Sequence, residues 1–284
     1  MPDVVVVGAV SRDLVGEDPR GWRLGGSVAY CSLALGRLGL RVGCLAGVDE
    51  EAADAAEWGM LETAGVSVQR VALGRGPVFE NVEREGHRRQ RWLSPADRLP
   101  VSSVPAAWRA ARGWLLVPVA GEVGNEWAAA PSESALVGVG WQGLLREFAE
   151  GGWVRRIAAT QSALLARAGL VCASLDDLEP EFELGRLLDY ARAVVVLTDG
   201  QRGGLIVERG RMRRYRAIPS ASPIDPTGAG DVFLAALMFG WLQMGEPATP
   251  KAVALAAAAA SLVIEGPGLD GVPTAAQIRE RLGG

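Results

Sequence analysis

The sequence predicts an α/β domain with a central, mostly parallel sheet, helices on both faces and a small β lid. Three observations carry this. Val4 to Val7 is an uninterrupted apolar run, the pattern of a strand buried on both faces. Strand-like and helix-like periods then alternate along the chain, the order that builds parallel sheets. One stretch, residues 66–93, breaks that alternation and has no helical period.

Taken in order, Gly25-Gly26 opens a helix over 27–38, whose apolar residues fall at helical spacing and which Gly39 ends. Residues 41–48 read as the next strand and 51–64 as a helix closed by Gly65. Residues 78–83 and 88–93 read as short strands around Gly86-His87, so that 74–98 form either a lid over a substrate or a plain edge hairpin. Further strands are predicted at 113–118, 134–139, 170–173, 193–197 and 204–208. Helices follow at 228–244, 251–264 and 274–282, and no low-complexity linker divides the chain. A single domain of 284 residues with its lid is the predicted organisation.

Composition narrows the function. A net charge of −4 supplies no basic excess for a nucleic-acid backbone. The longest apolar stretch, 252–264, is too short to span a bilayer, and the first residues lack the basic region of a signal peptide. A cytoplasmic protein bound neither to nucleic acid nor to membrane is expected. The three cysteines lie far apart without a CxxC pair, which argues against a zinc site or a disulfide framework. The one histidine, His87, cannot build a multi-histidine metal site. The one lysine, Lys251, follows Pro250 at the start of an alanine-rich helix. It fits neither a Walker A loop nor the strand lysine of a protein kinase, so any ATP chemistry here proceeds without either.

The segment richest in chemistry is Asp225-Pro226-Thr227-Gly228-Ala229-Gly230-Asp231, which runs into an apolar helix. Gly228, Ala229 and Gly230 carry almost no side chain, so their amides can approach an anion closely. They sit where a helix leaves its first donors unpaired and its dipole places partial positive charge. That suits phosphate oxygens. Asp231, in the same turn, is expected to be held ionised by the dipole and amides and to take a proton from an attacking hydroxyl.

This segment resembles the second signature of the ribokinase/PfkB carbohydrate kinases, with Pro226 at a variable place. The first signature is also recognisable, as Gly25-Gly26-Ser27-Val28-Ala29-Tyr30 through Arg37-Leu38-Gly39. The resemblance implies a ribokinase-like three-layer fold and phosphorylation of a sugar, cyclitol or nucleoside hydroxyl by ATP with Mg2+, and K+ as a further cation. It makes Asp231 the catalytic base and Gly228, Ala229 and Gly230 the anion hole. It puts substrate hydroxyls at Asp13, Gly25, Gly26, Tyr30 and Asn81. It assigns the nucleotide to Thr198, Gly200 and Gly203, to Gly228 and Gly230, and to Ala256 on the helix near the adenine. Magnesium falls to Asp177, through water, and the monovalent cation to Asp225 and Thr227.

Two departures stand out. Tyr30 replaces the asparagine of many members, and the Asn-x-x-Glu element appears only as Ser174-Leu175-Asp176-Asp177. Gly8-Ala9-Val10-Ser11-Arg12-Asp13, Glu80-Asn81 and Gln142-Gly143-Leu144-Leu145-Arg146 are similar to the short inositol kinase-like members, pointing to myo-inositol as acceptor. The resemblance allows a monomer or a homodimer.

Two other readings stay open. The weak Asn-x-x-Glu match would suit a sugar- or nucleoside-binding protein that lost turnover. Gly138-Val139-Gly140-Trp141-Gln142-Gly143 matches by letter the turn of a dinucleotide-dependent oxidoreductase, without a second strand ending in an acid. Arg84, Arg88, Arg89 and Arg91 flank the lid turn, either as a solvated face or as contacts to a charged substrate.

Overall fold

The computed structural model describes residues 1–84, 87–179 and 193–283, and for 83, 84 and 87–89 the backbone alone. Nine strands form the central sheet: β1 (Val4–Ala9), β4 (Val42–Val48), β5 (Ser67–Ala72), β8 (Gly113–Leu116), β9 (Leu136–Gly140), β12 (Leu170–Ser174), β13 (Val194–Thr198), β14 (Gly204–Glu208) and β15 (Arg211–Tyr215). Their spatial order is β5, β4, β1, β8, β9, β12, β13, β14, β15. The seven from β5 to β13 run parallel, and β14 and β15 close that edge antiparallel.

The apolar run at the start becomes the centre of this sheet because both its faces are covered. Successive side chains of a strand point to opposite faces. Val4 and Val6 therefore enter one core and Val5 and Val7 the other, all fully buried. The first core holds three helices, α1 (Ser27–Arg37), α5 (Ala229–Met244) and α6 (Pro250–Val263). The second holds bulky side chains, among them Trp114 of β8 with Trp127 and Trp141. Shorter helices are α2 (Glu50–Ala53), α3 (Trp58–Thr63), α4 (Ala163–Arg167) and α7 (Ala275–Arg281). The single helix predicted over 51–64 is thus two pieces, α2 and α3, interrupted at Asp54. None of the described helices is long and apolar enough to cross a membrane.

The predicted hairpin is present as β6 (Val78–Arg84) and β7 (His87–Ser94), paired antiparallel. It is not an isolated edge. With β2 (Ser11–Leu14) and β3 (Trp22–Gly25) it makes a four-stranded sheet in the order β3, β2, β6, β7. The lid therefore draws on residues 11–25 as well as 74–98. A second, unpredicted hairpin, β10 (Arg146–Phe148) with β11 (Val154–Arg156), lies against it. The Phe148 ring packs on Trp92, and Arg91 bridges to Trp153. Gly86 and the side chains of Arg84, His87, Arg88 and Arg89 lie outside the described residues.

Candidate active site

Parallel α/β sheets present their ligand sites beyond the carboxyl ends of their strands. Here a cavity of about 690 Å³ opens where β1, β9, β12 and β13 end, between the main sheet and the lid. Its lining includes Asp13, Gly26 and Asn81 on one side, Thr198 and Gly200 on another, and Pro226 to Asp231 along its floor.

The floor is the start of α5. Gly228 is the N-cap residue, in the left-handed region at φ 80°, where an alanine would be strained. No side chain caps this helix; the Ala229 amide makes a long bond to the Pro226 carbonyl at 3.4 Å, and Gly228 and Gly230 beside it line the cavity. The Tyr30 ring lies directly over Gly228 and leaves no room for a β-carbon there. Tyr30, expected to contact substrate, is 2% exposed, lines the cavity and packs against this turn. Asp225 braces the turn from below. One carboxylate oxygen accepts from the Thr227 amide at 2.9 Å and the other from the Gly268 amide at 3.2 Å. The loop 266–271, one of the two Gly-x-Gly-x-x-Gly matches, is thereby fastened to the turn.

Asp231 is partly buried on the first turn of α5. The sequence predicts that the helix start holds it ionised. Burial outweighs this and pushes its carboxyl up to about 6. A hydrogen bond from the Ser27 hydroxyl and the positive charge of Arg146 pull it back down, and the nearby carboxylates Asp177 and Asp13 push it up. At neutral pH the group remains mostly ionised, at a pKa suited to general-base work. Ser27, buried at the start of α1, is a contributor that sequence reading missed. Its position just after Gly25-Gly26 was the available clue.

On the lid side, Asp13 receives a hydrogen bond from Ser11 Oγ at 2.8 Å. The Asp13 carboxylate rests against Gly25, where a β-carbon would collide with it. Gly26, at φ 90°, lets the chain pass 2.7 Å from the Ala9 carbonyl, measured from the β-carbon it lacks. Gly25 shapes the site from behind, while Gly26 lines it. Asn81 and Gln90 face each other across β6 and β7, with Gln90 Nε2 donating to Asn81 Oδ1 at 3.3 Å.

On the far side, Thr198 and Gly200 line the cavity. Gly203, at φ 91°, shapes their turn, and its carbonyl accepts from the Asp199 amide at 2.7 Å. Ala256, expected near an adenine, is fully buried in the core between sheet and helices and is not part of the described lining of this cavity.

Asp177, expected to hold magnesium, is 5% exposed and committed to protein partners. Its Oδ2 accepts from the Ser174 amide at 3.1 Å in a capping box. Its Oδ1 accepts from Arg146 at 2.8 Å and from Gln142 at 3.2 Å. Arg146 in turn donates to Gln90 Oε1 at 3.0 Å. A continuous chain, Asn81–Gln90–Arg146–Asp177, thus ties the lid to the end of β12. Among the described residues no group of three histidine, cysteine or acidic side chains is placed to hold a metal. With both oxygens accepting from protein donors, Asp177 would meet magnesium through water, as expected, rather than by direct ligation.

The match at 138–143 does not open a helix. After β9 the chain makes one short turn, Gln142–Leu144, and enters the β10–β11 hairpin. A dinucleotide would find no helix N-terminus there.

Comparison with known proteins agrees with this geometry. Residues 163–275 match the pfkB family carbohydrate kinases. An acarbose 7(IV)-phosphotransferase from Actinoplanes sp. is 47% identical over 66 residues, a stretch covering 22% of this chain and 22% of that protein's own length. Among solved structures, a pyrophosphate-dependent kinase of the ribokinase family, complexed with a pyrophosphate analog and myo-inositol, superposes with a TM-score of 0.77 at 20% identity, covering 98% of this chain and 99% of the other. The ribokinase of Cryptococcus neoformans var. grubii serotype A in complex with ADP superposes at 0.70 with 17% identity, over 98% of each chain. At these identities the structures share a fold. Over residues 163–275 the sequence is similar to the pfkB family carbohydrate kinases, and over the whole length the chain shares the fold of these ribokinase-family structures.

Proposed function

We propose that this protein transfers the terminal phosphoryl group of ATP to a hydroxyl of a small polyol, a sugar or a cyclitol of myo-inositol size, with a nucleoside as the remaining acceptor class. The observation that carries the reading is that the uncapped amides at Gly228–Gly230 and the Asp231 carboxylate open into the same cavity as Asp13 and Asn81. Asp13, Gly26 and Asn81 hold the acceptor. Asp231 takes the proton of its attacking hydroxyl. The hydroxyl oxygen bonds to the terminal phosphorus as the bridging oxygen leaves with the rest of the donor, ADP. The amides of Gly228, Ala229 and Gly230 steady the charge on the transferred group. General-base help is worth about a hundredfold to ten-thousandfold. Asp177, engaged by Arg146, Gln142 and Ser174, would hold magnesium through water, and no step is routed through the ion. A potassium requirement at Asp225 and Thr227 belongs to the same proposal.

The similarity to a pyrophosphate-dependent kinase makes pyrophosphate the second donor to try, and the similarity to an acarbose phosphotransferase adds oligosaccharides to the acceptors. The test is a screen of sugars, cyclitols, nucleosides and acarbose with each donor, in K+ and in Na+, reading release of ADP or phosphate. Turnover with one acceptor class supports the reading. Binding of donor and acceptor without turnover supports the binding-protein alternative, which the engagement of Asp177 favours.

A further inference from the structure

The β10–β11 hairpin has two different faces. Facing outward, Glu147 and Arg155 stand opposite one another across the ladder and form an ion pair, the pairing that stabilises cross-strand neighbours. The next pair along the ladder is Arg146 opposite Arg156, and both line the cavity. Like charges directly opposite one another destabilise a ladder. Only one of these two is neutralised: Arg146 is paired with Asp177, whereas Arg156 is exposed and pairs with no carboxylate among the described residues.

The charge of the cavity sharpens the point. Asp13, Asp176, Asp177 and Asp231 line it, and they repel a polyphosphate. Arg146 and Arg156 are the only cationic side chains in the described lining. Guanidinium groups bind phosphate oxygens through paired N–H donors. The hairpin is fixed to the lid by Phe148 on Trp92 and by Gln90 on Arg146, so this charge is carried by the element that covers the cavity.

We propose that Arg146 and Arg156 form a phosphate clamp: Asp177 and Gln90 hold Arg146 in position, and Arg156 closes on a phosphate oxyanion of a substrate bound in the cavity. The proposal rests on the phosphotransfer reading. The oxyanion comes from the donor or from an acceptor that is already phosphorylated.

The experiment is calorimetric titration of the wild type, Arg156→Gln, Arg156→Lys and Arg146→Gln with inorganic pyrophosphate and, separately, with glucose 6-phosphate, at two salt concentrations. Arg156→Gln is expected to weaken pyrophosphate binding at least tenfold and to flatten its salt dependence. Arg156→Lys should recover part of the loss, which a purely structural residue would not do. Weakening confined to pyrophosphate puts the clamped oxyanion on the donor, and weakening confined to glucose 6-phosphate puts it on the acceptor. A glutamine variant that binds both probes like the wild type, with unchanged salt dependence, overturns the clamp. So does a wild type that binds neither. Phosphotransfer itself is judged separately, on the turnover of Asp231→Asn, so either idea can fail alone.

Discussion

The Tyr30 ring lies against Gly228, close enough that residue 228 has no space for a side chain. One contact joins two walls of the cavity, since Tyr30 belongs to α1, which follows the Gly25-Gly26 turn, and Gly228 begins α5, whose first turn floors the cavity. The ring, which also lines the cavity, holds the left-handed turn in shape.

Gly228→Ala is therefore expected to damage the site twice. A left-handed alanine costs roughly 1–2 kcal/mol, and its methyl group must displace Tyr30. Turnover should drop by about a hundredfold or more, as when an oxyanion donor is lost, with a lowered melting temperature. Steady-state kinetics and thermal melts check both.

The raised carboxyl of Asp231 sets a pH dependence. The base works only when ionised, so kcat/KM should fall about tenfold per pH unit below about 6 and level off above it. Removing the positive neighbour in Arg146→Gln should move that midpoint up, and Asp13→Asn should move it down, because these charges act on Asp231 in opposite senses. A pH–rate profile of the three proteins reads this directly.

Stability should respond in the opposite direction to activity. The folded pKa of Asp231 is raised from 3.8 to about 6, above its unfolded value. The folded state therefore holds a proton that the unfolded state has lost between those pH values. Stability from this group is greatest below pH 3.8, falls as pH rises to about 6, and stays reduced at neutrality by about 3 kcal/mol. Asp231→Asn removes the buried charge, so it should melt several degrees higher at pH 7 while losing turnover. Calorimetric melts at pH 5 and pH 7 should show the gain shrinking at the lower pH.

Glu122 has the reverse role. It is fully buried and accepts from the amides of Ala9 at 2.9 Å, Val119 at 3.0 Å and Ala120 at 2.8 Å. It fixes the end of β1 to the loop that lines the cavity through Pro118 and Val119. Glu122→Ala strands these donors at about 1–3 kcal/mol each, so denaturant unfolding should show a loss of several kcal/mol.

The turn that floors the cavity was legible in sequence for a physical reason. A backbone that must touch phosphate needs several adjacent residues without side chains, and Gly228-Ala229-Gly230 followed by Asp231 is such a string. The buried strands were legible because both their faces are apolar. Strands β2 and β3 were not: each has four residues and mixes charges with apolar side chains, and β3 pairs with β2, which pairs in turn with β6 far along the chain. Strand β5 is an exposed edge without the apolar run of its neighbours. The β10–β11 hairpin has strands of three residues, too short to show a period. Asp177 was found by its place in a motif, but the guanidinium that engages it lies 31 residues away in sequence. Ser27 acts on Asp231 only because two helix starts meet.

The most direct test of the account is turnover by Asp231→Asn, assayed with the best acceptor and with donor binding measured in the same preparation. The expected result is donor affinity within a fewfold of the wild type and turnover lower by about two to four orders of magnitude. Turnover near the wild-type rate with intact binding would contradict the assignment of Asp231 as the base and, with it, the mechanism built on the start of α5.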